Sequence, residues 1–171
     1  PKISTFIDAK IDKICDLKPD LVIGFSDIQG NIAKELIEKG IPVWINNYRS
    51  VQGIKKMIFQ LGVLVGRKQA SLQLIQQIND QIDSIIKKVE KWENHPKIYF
   101  EEWDDPMISG IKWVSEIIQI AGGIDIFPEL QNESLAKNRI IHEPDFVVKR
   151  NPDIIIASWC GKKFKKDIMV E

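Results

Sequence analysis

Apolar side chains between Lys68 and Trp92 recur at a helical interval. Leu72, Ile75, Ile78, Ile82, Ile85, Ile86, Val89 and Trp92 are spaced on one stripe, with Gln, Asn, Asp and Lys on the other faces. No Pro or Gly interrupts the run, so the pattern predicts one amphipathic helix. Its length would be roughly 35–40 Å, more than is needed to cover one small sheet. On either side lie two related stretches. Lys18-Pro19-Asp20 opens the apolar run Asp20–Phe25, and Asn151-Pro152-Asp153 opens Asp153–Ser158. Near-continuous apolar runs of this length suit strands covered on both faces of a parallel sheet.

In chain order, Phe6–Asp16 reads as a short helix with Ile7, Ile11, Ile14 and Cys15 inward. Asn31–Lys39 reads as a helix ended by Gly40, and Ile41–Asn46 as the next strand, which completes a right-handed β-α-β unit. Ser50 is placed to cap a helix running to about Leu64, with a break near Gly66-Arg67 before the long helix. His95-Pro96 stops the long helix. Beyond it come a strand at Lys97–Glu102, an exit loop at Trp103–Ile108 and a helix from Ser109 or Gly110 to Ala121. A loop-rich stretch follows to Ile141, then a turn or two of helix at Pro144–Arg150, the strand Asp153–Ser158 and the exit loop Trp159-Cys160-Gly161. The fold class is therefore α/β, two similar pieces joined by one long helix. The first lobe spans 1–50, the connecting helices 51–95 and the second lobe 96–171. Each lobe shows two clear strands, fewer than an independent sheet normally needs, so the chain is expected to be part of something larger, cut at both ends.

Composition narrows the function classes. The 24 basic and 24 acidic residues balance, which gives no bulk field for nucleic acid. No apolar run approaches the length of a membrane span. The chain opens at Pro1-Lys2 without an initiator Met or a signal peptide, which leaves room for an export signal upstream. Cys15 and Cys160 lack metal-ligand spacing; Cys15 reads as a core residue, and a Cys15–Cys160 disulfide stays open.

Ligands of open parallel sheets bind outside the carboxyl ends of the strands. Those ends carry Phe25-Ser26-Asp27, Asn46-Asn47-Tyr48-Arg49, Trp103-Asp104-Asp105 and Trp159-Cys160-Gly161. Aromatic rings near the strand tips suit a flat or bulky organic ligand held by stacking and a few polar contacts, although single tryptophans often do no more than cover a core. Glu101, Glu102, Asp104 and Asp105 form the densest acidic cluster, readable as a metal site, an acid/base pair or solvated loop charge. Adjacent strand residues face opposite ways, so Glu101 and Glu102 cannot both meet one ligand. His95 and His142 are too far apart in sequence to make a strong metal signal. There is no G-x-S-x-G elbow, P-loop or G-x-G-x-x-G, and the basic Lys162–Lys166 run reads as solvated surface. The chain does not read as an enzyme.

The order of these pieces resembles the helical-backbone (class III) substrate-binding proteins of ABC importers, the group that captures cobalamin and ferric siderophores. The resemblance rests on Pro1–Phe6, Ile14–Leu17 leading into Lys18–Ile23, Gly40–Val43, Leu61-Gly62 and Gly66, Glu102–Gly110, Ile120–Gly123 and Asn151–Ala157. The tryptophan-containing loop is similar to the cobalamin-binding branch. The resemblance implies two Rossmann-like lobes bridged by a rigid helix, with one ligand between them. It also implies an extracytoplasmic protein, periplasmic or lipid-anchored at the cell surface, that docks on an importer permease. The family's docking carboxylate of the second lobe falls at Glu143 or Asp145. The corresponding first-lobe position, near Gly30-Asn31, carries no carboxylate here; Asp27 and Glu35 are the nearest. The resemblance also implies a β-α segment before Pro1 and a further strand and helix after Glu171.

The reading is a non-enzymatic solute receptor. Trp103, Trp159, Phe25 and Tyr48 would supply stacking surface for a corrinoid or metal chelate, and Asp27, Asn46, Arg49 and Asp104 polar contacts. No covalent cofactor, resident metal or nucleic acid is expected, and the ligand would be cobalamin or a ferric siderophore. Its rivals are a receptor for siderophore, haem or a metal ion, a cytoplasmic α/β enzyme or sensor domain, and a degenerate fragment without activity.

Overall fold

Strand β1 (Val22–Phe25) pairs in parallel with β2 (Val43–Asn46), Val22 opposite Val43 and Phe25 opposite Asn46. Between them the chain makes a 3-10 turn at Asp27–Gln29 and helix α2 (Gly30–Glu38). This is the β-α-β unit that the sequence pattern predicts. Helix α1 (Ile11–Asp16) precedes it, and Ile14, Ala33 and Leu36 are its buried apolar side chains. The computed structural model describes residues 4–5, 8–159 and 161–163; Phe6, Ile7, Cys160 and the 164–166 part of the basic run lie outside them. The chain forms two units, Pro1–Tyr48 and Arg49–Glu171.

In the first unit the strands are not covered on both faces. Ile23 and Phe25 are 45% and 41% exposed, while Val22 and Gly24, which alternate with them, are half-buried. A cavity of about 290 Å³ lies among Ile14, Leu17, Leu36, Val43 and Ile45. The expected inward packing of Cys15 is only half met, since its side chain is half-buried beside the buried Ile14.

The second unit begins with helix α3 (Val51–Leu64), whose first turn is held twice. The Ser50 hydroxyl accepts from the Gly53 N–H at 3.0 Å, the expected N-cap, and the Val51 N–H donates to Glu116 Oε2 at 2.6 Å. Gly66 has φ +68°, a conformation that glycine adopts without strain, and it separates α3 from α4 (Lys68–Val89). The two helices pack closely where Gly62 faces Ser71; a Cβ on Gly62 would lie 2.3 Å from the Ser71 hydroxyl. Along α4 the predicted stripe is covered on one side only. Ile75, Ile78, Ile82 and Val89 are half-buried, whereas Leu72, Ile85 and Ile86 are exposed. The helix ends at Val89 rather than Trp92.

A four-stranded sheet follows, built on β3 (Lys97–Asp104). Strand β4 (Met107–Ser109) folds back antiparallel on the end of β3, and β5 (Ile124–Asp125) pairs in parallel with its start. Strand β6 (Ile154–Ala157) pairs in parallel with Ile98–Glu101. Ile98 is opposite both Asp125 and Ile154, and Glu101 both Ser109 and Ala157, so β6 takes one edge and β4 and β5 share the other. The Trp103–Ile108 exit loop predicted from sequence is thus a β-hairpin. Alternation along β3 divides the core between its faces. Ile98 packs with Val114 and Ile118 of α5 (Lys112–Ile120). Tyr99 packs with Ile126, Phe127, Ile141 and Val147, the last on α6 (Asp145–Arg150). The loop-rich stretch is organised by Arg139, 2% exposed, which donates to the carbonyls of Ser109, Glu133 and Ser134 and to Glu102 Oε2 at 2.6 Å.

Candidate functional site

In the first unit the strand ends form a small polar rim. β1 ends at Phe25, whose N–H donates to Gln29 Oε1 at 3.0 Å. Ser26 follows with φ +60°, its N–H bonded to the Asn46 carbonyl at 2.9 Å and its hydroxyl to Asp27 Oδ1 at 2.7 Å. With ψ 157° this is not the left-handed helical region but backbone space that glycine enters far more readily than serine, so Ser26 is held there under strain. Phe25 and Asp27 are exposed, and Tyr48 is half-buried. Asn46, at the end of β2, is 6% exposed, and its side-chain Oδ1 is buried without a hydrogen-bond donor. An unmet buried acceptor at a strand tip is unusual, because buried polar atoms are nearly always bonded. Arg49 is half-buried and opens the second unit, one residue before the cap of α3.

In the second unit the carboxyl ends of β3 and β6 lie side by side, and the parallel pairing of Glu101 with Ala157 sets their register. This brings together residues that are far apart in sequence. Glu101 is buried, 2% exposed, and accepts from Tyr99 Oη at 2.9 Å and from Trp159 Nε1 at 2.8 Å. Burial pushes its pKa above the usual carboxylate value, and the two donors pull it back only in part. The Tyr99 hydroxyl is raised in turn by burial and by the neighbouring carboxylate. Glu102 faces the other way, toward Arg139, so the two adjacent glutamates part as strand alternation requires.

Trp103 is half-buried, its ring oriented by an Nε1–H bond to the Asp105 carbonyl at 2.8 Å. Trp159 is buried, 7% exposed, with its N–H directed into the sheet at Glu101. The Lys162 ammonium lies 4.4 Å from the Trp103 ring centre and 5.2 Å from that of Trp159, and it is ion-paired with Asp104 Oδ1. That contact holds the Asp104 carboxyl below the usual range. Lys162, read from sequence as solvated surface, is therefore a member of the cluster. Glu143 and Asp145 are exposed, Asp145 in the first turn of α6.

Trp103, Asp104 and Trp159 are thus brought together by the β3–β6 pairing, and Phe25, Asp27 and Asn46 by the β1–β2 pairing. The residues missed from sequence are Glu101 as an acceptor and Lys162 as a partner of the tryptophans. Both depend on contacts about sixty residues apart, for which no local signal exists. Among the described residues no group of three His, Cys, Asp or Glu is placed to hold a metal ion. No described helix is long and apolar enough to cross a membrane. An aromatic and polar cluster of this kind can hold an organic ligand.

The architecture, a parallel β-α-β unit and a mixed, mostly parallel four-stranded sheet with a long α-helix between them in sequence, is that of helical-backbone solute-binding proteins. Residues 1–171 match the family described as periplasmic binding protein, and the chain belongs to that family. A vitamin B12-binding protein from Vibrio campbellii is 28% identical over 162 residues, 92% of this chain and 56% of that protein. The high-affinity heme uptake system protein IsdE from Staphylococcus aureus is 24% identical over 173 residues, 91% of this chain and 53% of that protein. The crystal structure of an ABC transporter substrate-binding protein from Listeria monocytogenes superposes with a TM-score of 0.74 at 16% identity, covering 91% of this chain and 59% of that one. The chain spans about half the length of the curated relatives it matches. Those relatives are binding and uptake proteins rather than enzymes.

Proposed function

We propose that this chain carries part of an extracytoplasmic solute receptor that delivers a corrinoid, or else an iron chelate, to the permease of an ABC importer. The observation that carries the reading is the cluster at the carboxyl ends of β3 and β6. There Trp103, oriented by its N–H bond, stands beside Asp104 and the Glu101-anchored Trp159. A ring fixed by a hydrogen bond beside polar groups is suited to stacking on a flat ligand, since little side-chain freedom is lost on binding. On the first unit, Phe25, Asp27, Asn46 and Tyr48 are assigned as ligand contacts, the unmet Asn46 Oδ1 awaiting a donor from the ligand; Arg49 is assigned as a further polar contact. Glu143 and Asp145, exposed together at the start of α6, are assigned to docking on basic residues of the permease. The relative named for vitamin B12 favours the corrinoid, and the one named for heme keeps an iron porphyrin as the second reading.

The test is a calorimetric titration with cobalamin and, in parallel, with haem and a ferric hydroxamate. Saturable binding of cobalamin that weakens at least about tenfold in Trp103→Ala supports the corrinoid reading, tenfold being about 1.4 kcal/mol, within the worth of a good aromatic contact. Haem or hydroxamate binding without cobalamin binding would move the assignment to that ligand.

A further inference from the structure

The contact between Lys162 and the two tryptophans has the chemistry of a recognition site already filled. Its ammonium lies within cation–π range of two indole rings, at 4.4 and 5.2 Å, and beside the Asp104 carboxylate. Asp104 is nearly covered, its side chain 9% exposed, whereas the Lys162 side chain is 37% exposed and so retains a path to water. The stem of a lysine has four rotatable bonds, so the ammonium can leave by side-chain rotation while Trp103 and Trp159 stay fixed by their N–H bonds. The neighbouring charges favour another cation in its place. Glu101 stands behind Trp159, Asp105 follows Asp104, and Glu102 is already matched by Arg139.

We propose that Trp103, Trp159 and Asp104 form a cation subsite in which Lys162 is the resident occupant, and that a positively charged part of the ligand takes its place. This rests on the receptor reading and narrows its ligand. The subsite selects a bound molecule that presents diffuse positive charge, such as a cationic metal chelate or an alkylammonium, and opposes one that presents carboxylates.

The experiment uses tetramethylammonium chloride as a probe, titrated by calorimetry at an ionic strength held constant with sodium chloride. Lys162→Ala should bind it at least about tenfold more tightly than wild type, and Trp103→Ala added to Lys162→Ala should remove the gain. Lys162→Ser, made in parallel, should show the same gain, so a folding defect in one variant does not decide the result. Equal affinity in wild type and both folded Lys162 variants overturns the subsite. Titration with aquocobalamin, a cation, and cyanocobalamin, which is neutral, separates this inference from the ligand reading. A tetramethylammonium gain with no binding of either cobalamin keeps the subsite and removes the corrinoid. Binding of both cobalamins without any gain on removing Lys162 keeps the corrinoid and removes the subsite.

Discussion

Replacing Glu101 with alanine leaves the Tyr99 hydroxyl and the Trp159 N–H, two buried donors, without their acceptor. Tyr99 is 2% exposed and Trp159 7%, so neither donor can simply turn to solvent. A buried donor left unmet costs about 1–3 kcal/mol, which sets an upper range of about 2–6 kcal/mol for the pair. Two effects reduce it. The native carboxylate is itself held out of water, so its removal relieves a desolvation penalty, and a water molecule can enter the vacated space. The expected loss is about 3 kcal/mol for Glu101→Ala. Glu101→Gln should lose less, about 1–2 kcal/mol, because the amide oxygen still accepts one bond while its NH2 meets the other donor. The pH dependence has a definite sign. The folded pKa of Glu101 is raised, so its contribution to stability is fully present below the unfolded value of 4.5 and is lost as pH rises through the folded one. The stability gap between wild type and Glu101→Gln should therefore widen as pH falls from 7 toward 4, the other groups being common to both proteins. Urea unfolding followed by near-UV circular dichroism measures the gap at each pH. A loss below about 0.5 kcal/mol for Glu101→Ala, or a gap that narrows on acidification, would refute the reasoning.

Two further predictions concern the helices of the second unit. Gly62→Ala should destabilise by about 1–2 kcal/mol despite the better helix propensity of alanine, because its Cβ would collide with Ser71, and Ser71→Gly in the same chain should restore most of the loss. Thermal melts of the two single variants and the double variant decide this. Glu116→Ala should lower stability by about 1 kcal/mol and speed hydrogen exchange at the Val51 amide, the donor it leaves behind, while amides in the middle of α3 change little.

Much of the architecture is legible because it is written in local patterns. The apolar interval along Lys68–Val89 specifies a helix, Ser50 supplies its predecessor's cap, and the run before Phe25 specifies a strand with a crossover behind it. The β3–β4 hairpin is not legible, since Asp104-Asp105-Pro106 has the polarity of a loop and β4 is only three residues long. The candidate site divides in the same way. Strand tips can be located from the runs that precede them, which puts Phe25, Asn46, Trp103 and Trp159 at or near strand ends, where the structure has them. Their surroundings cannot: whether Trp159 faces a cleft or the sheet depends on Glu101, and whether Lys162 is solvated depends on Trp103, each across the β3–β6 pairing. Arg139 is a similar case, a basic residue in a loop that proves to be among the most buried side chains of its unit.

The central place of β3 has a consequence for how the second unit comes to fold. Strand β4 is joined to β3 by a two-residue turn, so that pairing closes a minimal loop and can form within microseconds. Strand β6 reaches the other edge only after the whole segment 105–153 has been made. During synthesis β3 therefore stands with its main hydrogen-bonding edge unpaired, and closing so long a loop carries a larger entropic cost. When Ile154, Ile155 and Ile156 do arrive, they remain 43–47% exposed, a strand whose docking rests on backbone bonds more than on burial. Pairing β6 with β3 therefore carries a larger loop-closure cost than pairing β4 with it, and the meeting of Trp103 with Trp159, which depends on the β3–β6 register, carries that same cost.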